Sequence, residues 1–240
     1  MKILTLNMNM FRYCLGSSFL NYLEDINPTI AIIQEFKIVH NEQHIINLPQ
    51  NFSIIINQNN NEKEKNIKDI DKRIPLTVAL ISNSQETSVL QSNTNTKKFV
   101  KIIIQNDENM ISLTGVHIPL LNEGDGNTWE NNIGSPTIIC GDFNASAKKQ
   151  NSNNYKFLQK LKKDYTDLWC EAMEQQQAFY YNYKGEKINA QKDEFYRTYS
   201  GNTHIDYILG KKNKIKLQEI VIDTRTLSFT DHCAIIADIE

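Results

Sequence analysis

The chain has 240 residues, and its 26 basic and 28 acidic side chains leave a formal net charge of -2. That balance excludes the global positive field on which non-specific nucleic-acid binding depends, while leaving room for a locally basic groove. Apolar residues make up 40%, but the longest runs, such as residues 30–33, fall far short of a membrane span, so a water-soluble globular chain is expected.

In chain order, the first β-branched run covers residues 2–6 and ends at Asn7. The polar Asn7 and Asn9 interrupt any apolar leader, so no amino-terminal signal peptide is read and the mature chain is expected to start at or near Met1. Residues 19–26 carry apolar positions at helical spacing and stop at Asn27-Pro28, where proline disfavours continuation. A strand over 29–33 then delivers Gln34-Glu35. Strands over 52–56 and 76–82 carry no ionisable group and read as structural, and the polar stretch 58–73 between them reads as a loop. Residues 99–105 and 110–116 form a hairpin about the turn at 106–109, and the second strand delivers His117.

Between His117 and the next strand, residues 119–136 are a short stretch rich in Asn and Gly in which a helix is expected to be reduced or missing, with Trp129 covering the sheet. The run 137–140 delivers Gly141-Asp142-Phe143-Asn144. Residues 155–168 space Phe157, Leu158, Leu161, Tyr165 and Leu168 along one face of a predicted surface helix, whose lysines form a solvated face. Tyr180, Tyr181, Tyr183, Phe195, Tyr196 and Tyr199, interleaved with Lys184, Lys187, Lys192 and Arg197, form a candidate phosphate or base contact zone, although most of those rings are expected to pack. Two later strands reverse the pattern, because Asp206 opens the run 207–209 and Asp231-His232 precede the run 233–239. Cys14, Cys140, Cys170 and Cys233 show no CxxC spacing and read as reduced core thiols, which favours a reducing cytoplasm. No repeat recurs, and strands span the whole length, so a single α/β sandwich domain over 1–240 is the economical architecture.

Each polar strand end has an ordinary explanation alone, as a turn, a cap or a solvated side chain. Together Asn7, Glu35, His117, Asp142 with Asn144, Asp206, and Asp231 with His232 form an inventory for hard-metal binding and proton transfer. Carboxylate and amide oxygens suit Mg²⁺ or Mn²⁺, and the lack of clustered Cys argues against structural zinc.

The strings Leu4-Thr5-Leu6-Asn7, Ile33-Gln34-Glu35, Gly115-Val116-His117, Gly141-Asp142-Phe143-Asn144-Ala145, His204-Ile205-Asp206-Tyr207-Ile208-Leu209 and Thr230-Asp231-His232 resemble the ordered motif set of the endonuclease/exonuclease/phosphatase superfamily. The resemblance implies a four-layer α/β sandwich of two packed mixed β-sheets flanked by helices, of the deoxyribonuclease I type. It implies Glu35 as main metal ligand with Asn7 beside it and Asp231 completing or adjoining the site. It makes His232 general base or phosphate stabiliser, oriented by Asp206, and Asp142 the residue handling attacking water or leaving group. Asn144 and His117 would contact the phosphate. A histidine at 117 looks more like the deoxyribonuclease I, sphingomyelinase and phosphatase branches than abasic-site endonucleases. The expected activity is a Mg²⁺-dependent nuclease on DNA or RNA, with a phosphatase or phosphodiesterase of small molecules or lipid head groups as the alternative. A non-catalytic binding domain on the same fold is a third class, disfavoured because the catalytic set is intact.

Overall fold

The computed structural model describes residues 1–12, 16–37, 39–40, 44–45, 49–56, 75–83, 87–89, 98–106 and 109–240. In its first half the strands are β1 (Lys2–Asn7), β2 (Ile30–Phe36), β3 (Val39–His40), β4 (His44–Ile45), β5 (Phe52–Ile56), β6 (Leu76–Ser82), β7 (Thr87–Val89), β8 (Phe99–Asn106) and β9 (Asn109–His117). The second half adds β10 (Ile138–Asp142), β11 (Tyr165–Asp167), β12 (Ala178–Tyr181), β13 (Lys187–Asn189), β14 (Asp206–Lys211), β15 (Leu217–Asp223) and β16 (Ala234–Ile239). Four α-helices accompany them: α1 (Ser17–Ile26), α2 (Asp125–Ile133), α3 (Asn153–Leu161) and α4 (Leu168–Gln175).

An eight-stranded sheet runs β13-β12-β15-β16-β1-β2-β6-β5, and a six-stranded sheet runs β11-β14-β10-β9-β8-β7. Both are mixed, because β1 with β2, β12 with β15 and β9 with β10 are parallel while the other pairs are antiparallel. The small pair β3-β4 stands apart from both.

Strict alternation builds the layers. Ile3, Ile30, Ile32, Ala79 and Ile81 of the larger sheet pack on Val100, Ile102, Leu113, Ile138, Cys140 and Ile208 of the smaller one. The intervening residues Leu4, Leu6, Ala31, Ile33 and Val78 face Phe19, Tyr22, Leu23 and Ile26 of α1, which recur at helical spacing. On the other side, Phe99, Val116, Ile139 and Leu209 meet Ile133 of α2 and Phe157, Leu158 and Leu161 of α3. The result is four layers, helix, sheet, sheet, helix. With both faces buried, the central strands are apolar almost throughout, which made them easy to read as strands. Helix α1 ends on Asn27 in the left-handed region (φ 44°) just before Pro28, as the sequence predicts.

Three expectations need correction. A helix does lie between His117 and β10: α2 spans nine residues, and Trp129 on it packs edge-on against Phe99 with ring centroids 6.4 Å apart. Its low apolar content hid it. The predicted helix 155–168 is instead α3, a turn, the edge strand β11 and the start of α4. Asp167 breaks the run, because its side chain accepts from the amides of Trp169 and Cys170 and starts a new helix. Cys140 and Cys233 are buried free thiols, whereas Cys170 is exposed, on the face of α4 opposite Leu168, Trp169 and Ala172. Cys14 and the loop 58–73 lie outside the described residues.

Candidate active site

The alternation that buries Ile138 and Cys140 between the sheets also turns Asp142 inward at the end of β10, and the same holds for Asn7, His117 and Asp206 on their strands. Register brings them level. Asp142 pairs with His117 on one side and with Asp206 on the other. Gly141 permits the arrangement: its φ is +141°, and a Cβ there would lie 1.9 Å from the Val116 carbonyl oxygen.

Glu35 lies one residue out of that alternation, and by parity alone would face α1. The β2–β6 pairing slips between Ile33 and Phe36, and Glu35 takes φ +49°. This bulge re-aims the carboxylate, whose Oε1 comes to 3.5 Å from His117 Nε2. Asn144 also has a positive φ, +50°, which asparagine tolerates; its amide donates to the Asp142 Oδ1 (2.8 Å) and its Nδ2 to the Ile118 carbonyl (3.0 Å).

The residues form one chain of contacts. Asn7 Nδ2 donates to Asp142 Oδ2 at 3.0 Å, while its own Oδ1 accepts from the Asn9 amide at 2.8 Å. His117 Nε2 lies 4.0 Å from Asp142 Oδ2, and the Lys98 ammonium donates to His117 Nδ1 at 3.2 Å. His232 Nδ1 donates to Asp206 Oδ2 at 3.0 Å, and His232 Nε2 lies 3.8 Å from Asp231 Oδ1. Ligand atoms of Asp142, Asp206 and His232 all fall within 4.8 Å of one another.

Burial and charge then set protonation. Burial alone would lower the His232 pKa, but the charge and hydrogen bond of Asp206, helped by Asp142 and Asp231, raise it to about 9. Burial, with Lys98 and His232 adding positive charge nearby, drives His117 down to about 3. Burial and the Asp206 charge push Asp142 up to about 7, against His232 and the hydrogen bonds from Asn144 and Asn7.

The donor set fits a hard divalent cation. Four carboxylates, Glu35, Asp142, Asp206 and Asp231, converge on two cationic groups, Lys98 and His232, so negative charge is in excess. Asp231 Oδ1 is buried without a hydrogen-bond partner. Such an oxygen is costly unless a cation or proton meets it.

Three supporting residues, Lys98, Thr198 and Thr226, escaped the sequence reading, and Tyr199 entered it only within the aromatic and basic stretch. Lys98 fixes the His117 ring. The Tyr199 ring lies 4.9 Å from that of His232, and Thr198 Oγ1 accepts from the amides of Ile205 and Asp206. Thr226 Oγ1 contacts the carbonyls of Asp223 and His232 and accepts from the Ala234 amide, tying the turn before Asp231-His232 to β16. None belongs to a motif, and only their three-dimensional neighbours betray them.

Two facing mixed sheets between helical layers, with the polar ends of the inter-sheet core gathered at one edge, define the deoxyribonuclease I-like fold of endonuclease/exonuclease/phosphatase structures. The likeness is to solved structures. An endonuclease/exonuclease/phosphatase family protein from Leptotrichia buccalis matches with TM-score 0.63 at 18% identity, over 100% of this chain and 99% of that one. The AP endonuclease from Leishmania major matches with TM-score 0.61 at 12% identity, over 98% and 86%. The human Nocturnin catalytic domain, solved with bound sulfate, matches with TM-score 0.59 at 14% identity, over 100% and 94%. No protein-family profile and no curated protein sequence matches the chain. Among the described residues, no helix is long and apolar enough to cross a membrane.

Proposed function

We propose that this chain is a Mg²⁺- or Mn²⁺-dependent phosphodiesterase, a nuclease that hydrolyses phosphoester bonds of DNA or RNA. The observation that carries the reading is the His232–Asp206 pair at 3.0 Å, set against Asp142 with all three ligand atoms within 4.8 Å. The Leishmania major structure of the same fold is named an AP endonuclease, which supports nucleic acid as the substrate class.

Phosphodiester hydrolysis needs a base for water, neutralised charge on the phosphoryl oxygens and help for the departing alkoxide. A bound Mg²⁺ or Mn²⁺, held by Glu35 with Asn7 and Asp231 beside it, would supply Lewis-acid neutralisation of the phosphoryl oxygens. Asp206 accepts the Nδ1 proton of His232, so Nε2–H is the cationic donor for a phosphoryl oxygen. Asp142, steadied by the Asn7 amide and the Asn144 backbone, takes the proton of the attacking water. His117 has its Nδ1 occupied by Lys98 and presents a neutral Nε2–H from the opposite side. Asn144 hydrogen-bonds the phosphate beside Asp142.

The test is a substrate panel with Mg²⁺ or Mn²⁺ against chelator: plasmid DNA, RNA, cyclic nucleotides, inositol phosphates and phosphomonoesters. Metal-dependent nicking or RNA degradation is expected, with Glu35→Gln and His232→Ala each lowering the rate by about 100-fold or more. Undiminished cleavage by both variants would overturn the assignment. Turnover confined to the small phosphoesters would move the substrate away from nucleic acid.

A further inference from the structure

A pocket of about 510 Å³ opens on the same edge of the larger sheet, walled by Tyr180 and Tyr183 on one side and by the turn after β15 on the other. Its position follows from register: Tyr181 pairs with Asp223, and Asp223 with Ala234, which follows the Asp231-His232 segment. Two strand spacings separate β12 from β16, so the pocket lies about 10 Å along the edge from His232. The backbone joins them directly, because Arg197 in the pocket wall precedes Thr198, whose carbonyl accepts from the Cys233 amide at 2.7 Å. The volume falls within the usual range for a small organic ligand.

The lining groups differ in what they have left to offer. Arg225 is held by Asp223 (2.7 Å) and Asp25 (3.2 Å), with its guanidinium over the Tyr181 ring. Asn182 binds Glu186, and the Ser228 hydroxyl donates to the Arg225 carbonyl. Arg197, in contrast, has no ion pair or hydrogen bond among the described residues, and Tyr183 is 87% exposed, with the Lys184 ammonium 5.9 Å from its ring centroid on one face. An unpaired guanidinium beside an exposed aromatic face suits an anion attached to a flat ring. A bare phosphate would use the charge but leave the ring unused.

We propose that this pocket is a subsite for the nucleotide next to the scissile phosphate, with Tyr183 stacking on the base and Arg197 binding the flanking phosphate. This rests on the phosphodiesterase reading above and names its substrate as a strand whose bases are splayed out, not a bare phosphoester. Lys187, part of the same aromatic and basic stretch, is instead paired with Glu219 and lies over Phe179.

The test compares cleavage of a short oligothymidylate with that of an abasic strand of equal length, in which tetrahydrofuran replaces every base. The wild-type protein should favour the base-bearing strand by about tenfold in kcat/KM. Tyr183→Ala should collapse that preference toward unity and Tyr183→Phe should keep it, while Arg197→Ala should raise KM for both strands. Both positions are exposed, so the variants should fold. A preference undiminished in Tyr183→Ala, or an unchanged KM in Arg197→Ala, would overturn the subsite, as would an Arg197→Ala defect confined to inositol phosphates. If the wild-type protein cleaves neither strand, the hydrolase reading is decided separately by the substrate panel, and fluorescence anisotropy of labelled strands then reads the pocket. Tighter binding of oligothymidylate that is lost in Tyr183→Ala supports the subsite, and equal affinity for both strands refutes it.

Discussion

The Glu35 carboxylate reaches 3.5 Å from His117 Nε2 only because its strand slips register between Ile33 and Phe36 and its backbone turns left-handed, φ +49°. A non-glycine residue in that region carries strain of roughly 1–2 kcal/mol. Glu35→Gly should relieve it, offset by about 0.5–1 kcal/mol of extra chain entropy in the unfolded state. The melting temperature should therefore not fall, while metal-dependent hydrolysis is lost. A marked drop in Tm on a calorimetric scan would show that the bulge is not strained.

Gly141 tests the opposite case. Its Cβ would sit 1.9 Å from the Val116 carbonyl oxygen at φ +141°, and β9 and β10 cannot separate without undoing the alignment of His117 with Asp142. Gly141→Ala should cost about 3 kcal/mol or more, which lowers Tm by about 10 °C in a chain of this size. A Tm within a couple of degrees of wild type would mean that the strands yield easily.

The two site histidines should titrate in opposite directions in protein stripped of metal with chelator. His232, at about 9, stays charged well above neutrality, and His117, at about 3, stays neutral well below it, against an ordinary 6.5. The linkage follows with opposite signs. His232 contributes stability that is complete below pH 6.5 and is lost as pH rises through about 9. His117 withdraws stability as pH falls from 6.5 toward 3, because the unfolded ring takes up a proton that the folded one refuses. Imidazole ¹⁵N shifts across that range measure both, and a shared pKa near 6.5 would contradict the geometry.

Asp223 is fully buried and is held by Arg225 through Nε and Nη2 and by the Tyr22 hydroxyl at 2.8 Å. Asp223→Ala leaves Arg225 with only Asp25, removes the acceptor of the Arg225 amide and of the buried Tyr22 hydroxyl, and unties the turn below Asp231-His232, so it should cost about 2–3 kcal/mol. Tyr22→Phe removes one of several donors and should cost only about 1 kcal/mol. Urea denaturation of the two variants checks the ranking, and equal losses would refute it. Burial and the Asp223 charge raise the Tyr22 pKa, so its contribution is present below about pH 10 and disappears as pH rises beyond that.

The central strands were legible because they are buried on both faces and their apolar runs end abruptly in Asn7, Asp142 and Asp206. The carboxylates and histidines were legible as types, since few strand ends would otherwise carry them. What the sequence hid is local and electrostatic. The β15 run, residues 217–223, mixes Gln218 and Glu219 into its exposed end and was passed over. Helix α2 has too few apolar residues to show a face. The bulge at Glu35 leaves no mark, because a parity change is a property of pairing, not of composition. Lys98 lies 19 residues from His117 and becomes its partner only through the β8–β9 pairing.

The pairing of β1 with β16, Thr5 opposite Ile235, places strands from the two ends of the chain side by side at the middle of the larger sheet. Asn7 and Glu35 are synthesised well before β16, so the centre of that sheet closes only once β16 has left the ribosome. Contacts of such long sequence separation are slow to form. A nascent chain that stops before β16 therefore carries every strand-end residue of the site, His232 included, yet leaves β1 with an open edge where β16 should pair. The side chains of the site are thus present before the sheet that aligns them is complete, so truncation before Ala234, which keeps Asp231 and His232, should abolish both the cooperative melting transition and hydrolysis.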